Sequence, residues 1–424
     1  MKFRENIRAY NNMVSMASKA ITGKMTQFDK WPRPFKMSGS MYHLAPHVFP
    51  ETDQKPKFSQ IYVYDIEHEV SNRLEHSHEK EGIKQGTLET IQNELKECNY
   101  YVKKYQSAAE VFKSNPEKNL RMVFKSKGSM GAKKKNNMPQ INDVVVIAPG
   151  DQTEPRDIVL YRSRQFSPGN HDAVRIYELH KAYDPTAYVL ILPHGDDGYS
   201  IPPPLKENGR QMSITDFYVY HLMVRPLSFN AIHRCGRLLQ EYLCDQYSKI
   251  EGARLRYIRS NQDKLRVEQY SGLQDHIASL QNVGEDIKKV GTMVLLPPSF
   301  TGSPRFMYKH YMDALAICRE FRKFDFFITI TGNPKWKSVL DNLFPGQTAN
   351  DRPDIMNRVF HEVLENLIGD LKNGVMGPLK ARLHTIEGES ELIICIFIIL
   401  FLICRTISLF EACPHSCPAC SEPH

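Results

Sequence analysis

The beginning of the sequence lacks the apolar segment that marks a secretory signal peptide. Its first twelve residues, MKFRENIRAYNN, are mostly polar. Cysteine is sparse over the main body, where Cys98, Cys235, Cys244 and Cys318 stand alone, and five of the nine cysteines fall within the last thirty residues. This spacing excludes a disulfide framework in the main body and indicates reduced intracellular thiols.

Acidic residues are absent from residues 121–140, where basic residues alternate with glycine and asparagine. Such a stretch fits a solvated loop, or a patch that contacts phosphate or directs nuclear import. Its basic residues are Arg121, Lys125, Lys127, Lys133, Lys134 and Lys135, and the last three are candidate DNA-binding residues.

The composition is that of a folded protein. The chain has 424 residues, of which 41% are hydrophobic, enough for two or three domains with a buried core. The net charge of +7 permits nucleic acid as a partner without requiring it.

The patterning predicts an α+β fold whose first region, residues 1–225, mixes helices and strands. Residues 37–75 look extended because apolar residues alternate in FSQIYVYD. Further predicted elements are a helix over 84–113 and strands over 143–149, 156–162 and 186–193.

A basic long-helix region is predicted over residues 226–290. Between Arg225 and Arg266 there are nine Lys/Arg residues against four acids, a local excess of five positive charges. The region fits an ordinary solvent-facing helix, or a surface on which guanidinium groups grip phosphate and planar side chains such as Tyr257 stack on bases. The candidate DNA-binding residues here are Arg234, Arg237, Arg254, Arg256, Arg259, Lys264 and Arg266.

Residues 291–387 are predicted to alternate strand, helix, strand, helix and strand, with the next strand of the sheet following Glu387. The first of these strands is predicted over 292–300, and the helix after it carries an apolar stripe that includes Tyr308 and Tyr311. The segment KFDFFITITGNPKW predicts a strand that ends in a sharp turn, crowded with Phe327, Thr329, Thr331, Asn333, Pro334 and Trp336.

Residues 388–424 differ in character from the rest and are interpreted as an unrelated tail. The uninterrupted apolar run LIICIFIILFLIC is shorter than a usual membrane span, although extending it over 392–410 gives a possible transmembrane helix. At the end, Cys413, Cys417 and Cys420 are weak candidates for a metal site, and the alternative is that they hold nothing.

Several long stretches resemble one family. They include SGSMYHLAPHVFP, YDPTAYVLILPHGDDGY, LPPSFTGSPRFMYKHYMDALAICREF, FDFFITITGNPKW and RPDIMNRVFHEVLENLIGDL. Over residues 3–387 the chain resembles the Helitron helicase-like N-terminal domain, found in the Rep/helicase proteins of rolling-circle transposons.

The resemblance implies a sheet of the HUH nuclease type found in Rep proteins. In that family, a His–hydrophobe–His strand binds a divalent metal and a tyrosine on a later helix attacks the scissile phosphate. The strand FFITIT would lie beside the metal-binding strand, with Thr329, Thr331 and Asn333 as supporting polar groups.

The residues that would carry this chemistry do not follow in the printed sequence. No His–hydrophobe–His occurs after Glu387, His76-Ser77-His78 has a polar middle residue, and no G-x-x-x-x-G-K-[ST] phosphate loop occurs. The expected architecture is therefore an incomplete HUH/Rep-like α/β sandwich behind the N-terminal region.

The expected function is that of a truncated Rep fragment that binds single-stranded DNA weakly and neither nicks nor unwinds it. No cofactor is expected, whereas the parent family uses a divalent metal and ATP. A full-length transposase of the same family is a further expected partner, in the nucleus or cytoplasm. The alternatives are an active HUH endonuclease, and a membrane-tethered or degenerate product without activity.

Overall fold

A computed structural model of the chain describes residues 2–22, 25–26, 36–37, 39–64, 68–76, 82–116, 118–125, 144–147, 157–206, 209–225, 229–262, 294, 296–322, 325–388 and 394–402. The chain divides into two compact units. The first is Met1–Arg256 with Phe344–Arg352, and the second is Tyr257–Leu343 with Pro353–His424. Helices are combined with small antiparallel sheets, so the predicted α+β class is confirmed.

The first unit is built from short elements and one long helix. Its helices are α1 (Lys2–Glu5), α2 (Ile7–Val14), α3 (Ser59–Tyr64), α4 (Glu69–His76), α5 (Gln85–Cys98), α6 (Tyr100–Ser114), α7 (Tyr183–Ala187), α8 (Ile214–Leu222) and most of α9 (Arg237–Ser260). Its strands are β1 (Ser18–Ile21), β2 (Met25–Thr26), β3 (Lys36–Met37), β4 (Met41–Pro46), β5 (Arg121–Phe124), β6 (Val144–Ile147), β7 (Ile158–Leu160) and β8 (Ala173–Ile176). Single 3-10 turns form at Arg164–Phe166, Ile232–Arg234 and Ala349–Asp351.

Strand β4 is the centre of a three-stranded antiparallel sheet of order β1-β4-β8. Its side chains alternate between buried and half-buried positions, and Met41, His43 and Ala45 point into the core. A second antiparallel sheet has the order β6-β5-β7, which confirms the strands predicted over 143–149 and 156–162. The alternation of β4 brings a histidine, His43, into an otherwise apolar core.

The helix predicted over 84–113 is interrupted at Asn99, which gives two helices, α5 and α6. The Asn99 side chain accepts hydrogen bonds from the backbone N–H groups of Tyr101 (2.9 Å) and Val102 (3.1 Å) and so caps α6. The same residue ends α5, because its own N–H bonds to the carbonyl of Leu95. Apolar periodicity continued across this break and concealed it.

The extended segment predicted through residues 59–64 is wrong, since these residues form helix α3. Ile61, Tyr62 and Val63 are all buried, although a strand with one solvated face would expose the middle residue. The Tyr62 hydroxyl donates to the carbonyl of Val14 at 2.7 Å and fixes this residue in the core. The apparent alternation was therefore misleading, because residues 59–63 are all buried.

Two further predicted strands are not found. Over 186–193 the chain forms the end of α7 and a series of turns in which Ala187, Tyr188 and Val189 are all buried. A continuously buried apolar run does not distinguish a strand from a compact turn. The described residues within 292–300, which are 294 and 296–300, contain no strand, and Pro297 and Pro298 cannot donate to a strand ladder.

The second unit contains a three-stranded antiparallel sheet of order β10-β11-β9. Its elements are α10 (Pro304–Phe321), β9 (Phe326–Thr331), α11 (Lys337–Leu340), α12 (Pro353–Lys372), β10 (Leu379–Gly388) and β11 (Ile394–Leu402). The predicted helix beginning at Pro353 and the strands predicted at 326–331 and 379–387 are confirmed.

The core of the second unit lies between α12 and one face of this sheet. Phe360, Leu364, Ile368 and Leu371 recur at three- and four-residue intervals, so one stripe of α12 is buried. Ile328 and Ile330 of β9 pack against this stripe. Because strand residues alternate between faces, Phe327, Thr329 and Thr331 lie on the opposite face of β9.

The apolar run that follows residue 391 forms the central strand of this sheet. Strand β11 pairs with β9 from Cys395↔Thr331 to Leu400↔Phe326, and with β10 on its other side. The prediction that the next strand of the sheet follows Glu387 is thus confirmed. The prediction of a possible transmembrane helix over 392–410 is wrong, because nine of these residues form a strand. No helix of the described residues is long and apolar enough to cross a membrane.

Candidate nucleic-acid interface

The first half of α9 is a buried helix with an unusually polar face. Leu238, Leu239 and Tyr242 lie in the core, yet Glu241, Asp245 and Lys249 are buried as well. These three charged residues are spaced four apart and therefore lie along one side of the helix. Each must find a partner inside the protein, because an unpaired buried charge is strongly unfavourable.

The partners of Asp245 are a histidine and two tyrosines. His43 Nε2 lies 2.8 Å from Asp245 Oδ2, and the hydroxyl of Tyr188 donates to the same oxygen at 2.8 Å. The hydroxyl of Tyr183 donates to Oδ1 at 3.3 Å, and its ring stacks on His43 with centroids 3.7 Å apart. Burial alone would raise the pKa of Asp245, but His43, the hydrogen bond from Tyr188 and the charge of Lys249 together lower it.

Lys249 is paired with Asp184 from the neighbouring helix α7. Its Nζ lies 3.1 and 3.3 Å from the two carboxylate oxygens, and the hydroxyl of Tyr218 donates to Asp184 Oδ2 at 2.7 Å. Burial, reinforced by the Asp184 charge, raises the pKa of Tyr218 well above its ordinary value. The tyrosine therefore stays a neutral donor, and the ion pair is satisfied without water.

Glu241 is the third buried acid, and it is held by Arg8 at 2.6 Å and by Lys19. Burial would raise the pKa of Glu241, but these two cations lower it. The four charges Glu241, Asp245, Lys249 and Asp184 are thus used inside the first unit. Within residues 225–266, burial removes two acids and only one lysine from the surface, so the excess of positive charge remains.

The second half of α9 turns outward. Tyr257 is 68% exposed, and Arg254 and Arg259 are exposed too. Arg254 and Tyr257 are three residues apart and share one side of the helix, whereas Arg259 lies on another. This arrangement presents a cation beside a bare aromatic ring, the pairing that suits a phosphate and its base.

The other predicted DNA-binding arginines are committed to contacts within the first unit. Arg256 forms an ion pair with Glu178, and its guanidinium lies over the ring of Tyr177. The guanidinium of Arg234 lies over two rings, 4.2 Å from the centroid of Phe344 and 5.0 Å from that of Phe229. Arg237 is half-buried, and Lys133, Lys134, Lys135, Lys264 and Arg266 lie outside the described residues.

The motif strand β9 has one exposed face in the second unit. Phe327 is 54% exposed, and Thr329 and Thr331 are exposed beside it. The predicted site residues of the following turn have structural roles: Asn333 Oδ1 accepts from the N–H of Lys335 at 2.9 Å, and Trp336 stacks on Phe360. Pro334 is exposed between them. Phe327, Thr329 and Thr331 therefore form an exposed surface on one face of β9, and Asn333 and Pro334 are exposed in the turn that follows.

The comparison with known families identifies the part of the chain that contains these features. Residues 217–390 match the family model described as "Helitron helicase-like domain at N-terminus". This segment is a Helitron helicase-like domain. It begins within α8 and includes α9, α10, α12 and the strands β9 and β10. A search of curated proteins found no match to the chain.

Within the described part of the Helitron-like domain, no metal site is assembled. The described residues contain no group of three or more His, Cys, Asp and Glu side chains that could hold an ion. Strand pairing places His384 in register with Ile328 through β11, and the histidine is exposed. Partial desolvation lowers the pKa of His384, assisted by Arg382. The weak metal candidates Cys413, Cys417 and Cys420 lie outside the described residues.

Sequence reasoning did not identify the buried charges of the Helitron-like domain. Glu241, Asp245 and Lys249 were counted only as contributions to net charge. Their four-residue spacing, on the side of the helix that also carries Leu238 and Tyr242, was a signal of burial. The partner His43 carried no such signal, because it is 202 residues away in sequence from Asp245.

Proposed function

We propose that this chain binds single-stranded DNA and neither cleaves nor unwinds it. The observation that carries the proposal is the exposed second half of α9, where Arg254 and Tyr257 stand side by side. Arg254 and Tyr257 lie on one continuous helix, so the backbone that carries them is already formed before binding. The surface lies inside the Helitron-like segment, residues 217–390.

As part of this proposal, the second unit is an incomplete HUH/Rep-like sandwich. An antiparallel sheet with a helix on one face supports it, as does the polar exposed face of β9 with Thr329 and Thr331. The non-cleaving part rests on the printed sequence, in which no His–hydrophobe–His follows Glu387 and no phosphate loop occurs. A full-length transposase of the same family is the proposed protein partner, and the nucleus or cytoplasm the proposed location.

Fluorescence anisotropy with a labelled thirty-nucleotide single strand tests the binding. We expect binding that weakens steeply as salt rises, because each phosphate contact contributes about 0.7 to the slope of log affinity against log salt. A matched duplex of the same length should bind more weakly, since its bases are not available for stacking. Absence of binding, or an affinity that does not change with salt, would overturn the proposal.

Incubation with the same strand and manganese tests the second half of the proposal. We expect the strand to remain intact, with no DNA attached covalently to the protein. A tyrosine-linked DNA adduct recovered after denaturation would overturn this part and establish the alternative, an active HUH endonuclease.

A further inference from the structure

Helix α10 is well formed, yet none of its residues is buried. Its start is fixed locally, because Ser303 Oγ accepts from the N–H of Phe306 at 3.1 Å and Pro304 occupies the first helical position. The sequence pattern predicted an apolar stripe on this helix that includes Tyr308 and Tyr311. In the structure this stripe is not buried, and the start of the helix is stabilised by its own capping residue.

The open stripe consists of large side chains. Tyr308 is 65% exposed, Tyr311 is 58% exposed, and Met307 and Met312 are 59% and 40% exposed. Residues three and four apart on a helix are neighbours, so these four side chains form one continuous face. Neither tyrosine ring contacts another ring or a cation within the part of the chain that the structure describes.

The charges of α10 are distributed unevenly around this face. Arg305 precedes Tyr308 by three residues and borders it, whereas Arg319 lies on the same side of the helix about 12 Å beyond Tyr311. Asp313 follows Tyr311 by two residues and Glu320 follows it by nine, which places both acids on the opposite side of the helix. The aromatic face is therefore bordered by positive charge and turned away from the acids.

We propose that this face of α10 is a stacking surface for the unpaired bases of a single-stranded nucleic acid. The proposal rests on the proposed function and adds a second contact surface to it. Tyr308 and Tyr311 are separated by about 4.5 Å along the helix axis, a spacing comparable to that of successive bases. The exposed rings stack on the bases, and the arginines on the same side of the helix form ion pairs with the phosphates. Proteins that bind single strands without sequence preference use this combination.

Binding of the full chain to two labelled oligonucleotides tests the proposal. One is a thirty-nucleotide thymidine strand, and the other has the same phosphates but abasic sites in place of most bases. We expect wild type to prefer the strand with bases. The variant Tyr308→Ala/Tyr311→Ala should bind that strand about ten-fold more weakly and lose the preference, whereas Tyr308→Phe/Tyr311→Phe should keep both, because phenylalanine retains the stacking ring.

The matched control is Tyr64→Ala, which removes a 56% exposed tyrosine from helix α3 of the first unit and should leave both affinities unchanged. Circular dichroism confirms that each variant is folded. If the double alanine variant keeps its affinity and its preference, the stacking surface is refuted while the proposed function stands. If wild type binds neither strand, both are refuted. If the variant changes only the oligomeric mass in gel filtration, α10 contacts protein and the proposal is refuted.

Discussion

His43 and Asp245 form a fully buried pair, with Nε2 of the histidine 2.8 Å from Oδ2 of the aspartate. The other ring nitrogen, Nδ1, lies 3.0 Å from the carbonyl oxygen of Tyr183. Both ring nitrogens are therefore within hydrogen-bonding distance of an oxygen. The pair joins strand β4 to helix α9 inside the core.

The first prediction concerns this pair. Asp245→Ala should destabilise the first unit by about 3–5 kcal/mol, because it leaves the histidine and two tyrosine hydroxyls without their acceptor in a dry core. Glu251→Ala removes an exposed acid from the same helix and should change stability by less than about 0.5 kcal/mol. Urea unfolding monitored by circular dichroism provides the measurement. Equal stabilities of the two variants would contradict the buried pair.

The second prediction is a loss of stability in acid. The folded-state pKa values of Asp245 and Glu241 are lowered, so both carboxylates stabilise the fold above their ordinary pKa values of 3.8 and 4.5. This contribution is lost as the pH falls below those values, through the lower folded-state pKa. The urea midpoint should therefore drop between pH 5 and pH 3.

Glu241→Gln provides the comparison for this prediction. The variant should be less stable than wild type at pH 7, since Arg8 and Lys19 lose their charged partner. The variant should lose less stability than wild type when the pH falls from 5 to 3, because one of the two titrating carboxyl groups has been removed. An identical pH dependence in wild type and variant would show that Glu241 does not contribute.

The third prediction concerns the space around Asp184. A Cβ added at Gly198 would lie 2.5 Å from Asp184 Oδ2 and 3.0 Å from its Cγ, and that carboxylate is fixed by Lys249 and Tyr218. Gly198→Ala should cost about 1–3 kcal/mol, because the ion pair must shift to make room. Gly86→Ala is the control: it has no atom within 4 Å of the added Cβ and should stabilise helix α5 by about 0.5–1 kcal/mol. In thermal unfolding, we expect Gly198→Ala to lower the melting temperature and Gly86→Ala to raise it.

The fourth prediction separates two neighbouring arginines of α9. Arg254→Ala should weaken binding of single-stranded DNA about 3- to 10-fold and reduce the salt slope by about 0.7, with little change in stability, because its side chain is exposed. Arg256→Ala should lower stability as well, since it breaks the ion pair with Glu178. Lys113→Ala, an exposed cation on α6, should alter neither property. Anisotropy titrations at several salt concentrations distinguish these outcomes.

The sequence predicted secondary structure correctly where an element has a local periodic pattern. It failed where burial depends on residues that are distant in sequence. Strand β9 and helix α12 were predicted correctly because each has one buried face, which gives periods of two and of 3.6 residues. Residues 59–63 and 186–189 are all buried, so burial does not distinguish one face of the segment from another and the conformation follows from tertiary packing.

The same distinction holds for the candidate site. The basic character of α9 was evident from the sequence, but Lys249 proved to be buried and Arg256 to be paired. Their partners Asp184 and Glu178 lie 65 and 78 residues away, and no helical spacing relates them. Only the three-dimensional structure therefore shows which basic residues of α9 are exposed and which are buried or paired.

The last prediction concerns β11, the apolar strand between β9 and β10. A central strand has neighbours on both sides, and Ile398 is in register with Ile328 on one side and with His384 on the other. Ile398→Pro removes a backbone donor from the middle of the sheet, whereas Ile398→Thr keeps the donor and the β-branched shape. We expect the proline variant to lose protection from hydrogen exchange at the amides of β9 and β10, while the threonine variant keeps most of it. Unchanged protection in the proline variant would show that residues 394–402 do not pair with this sheet, and the interpretation of the segment as an unrelated tail would then regain support.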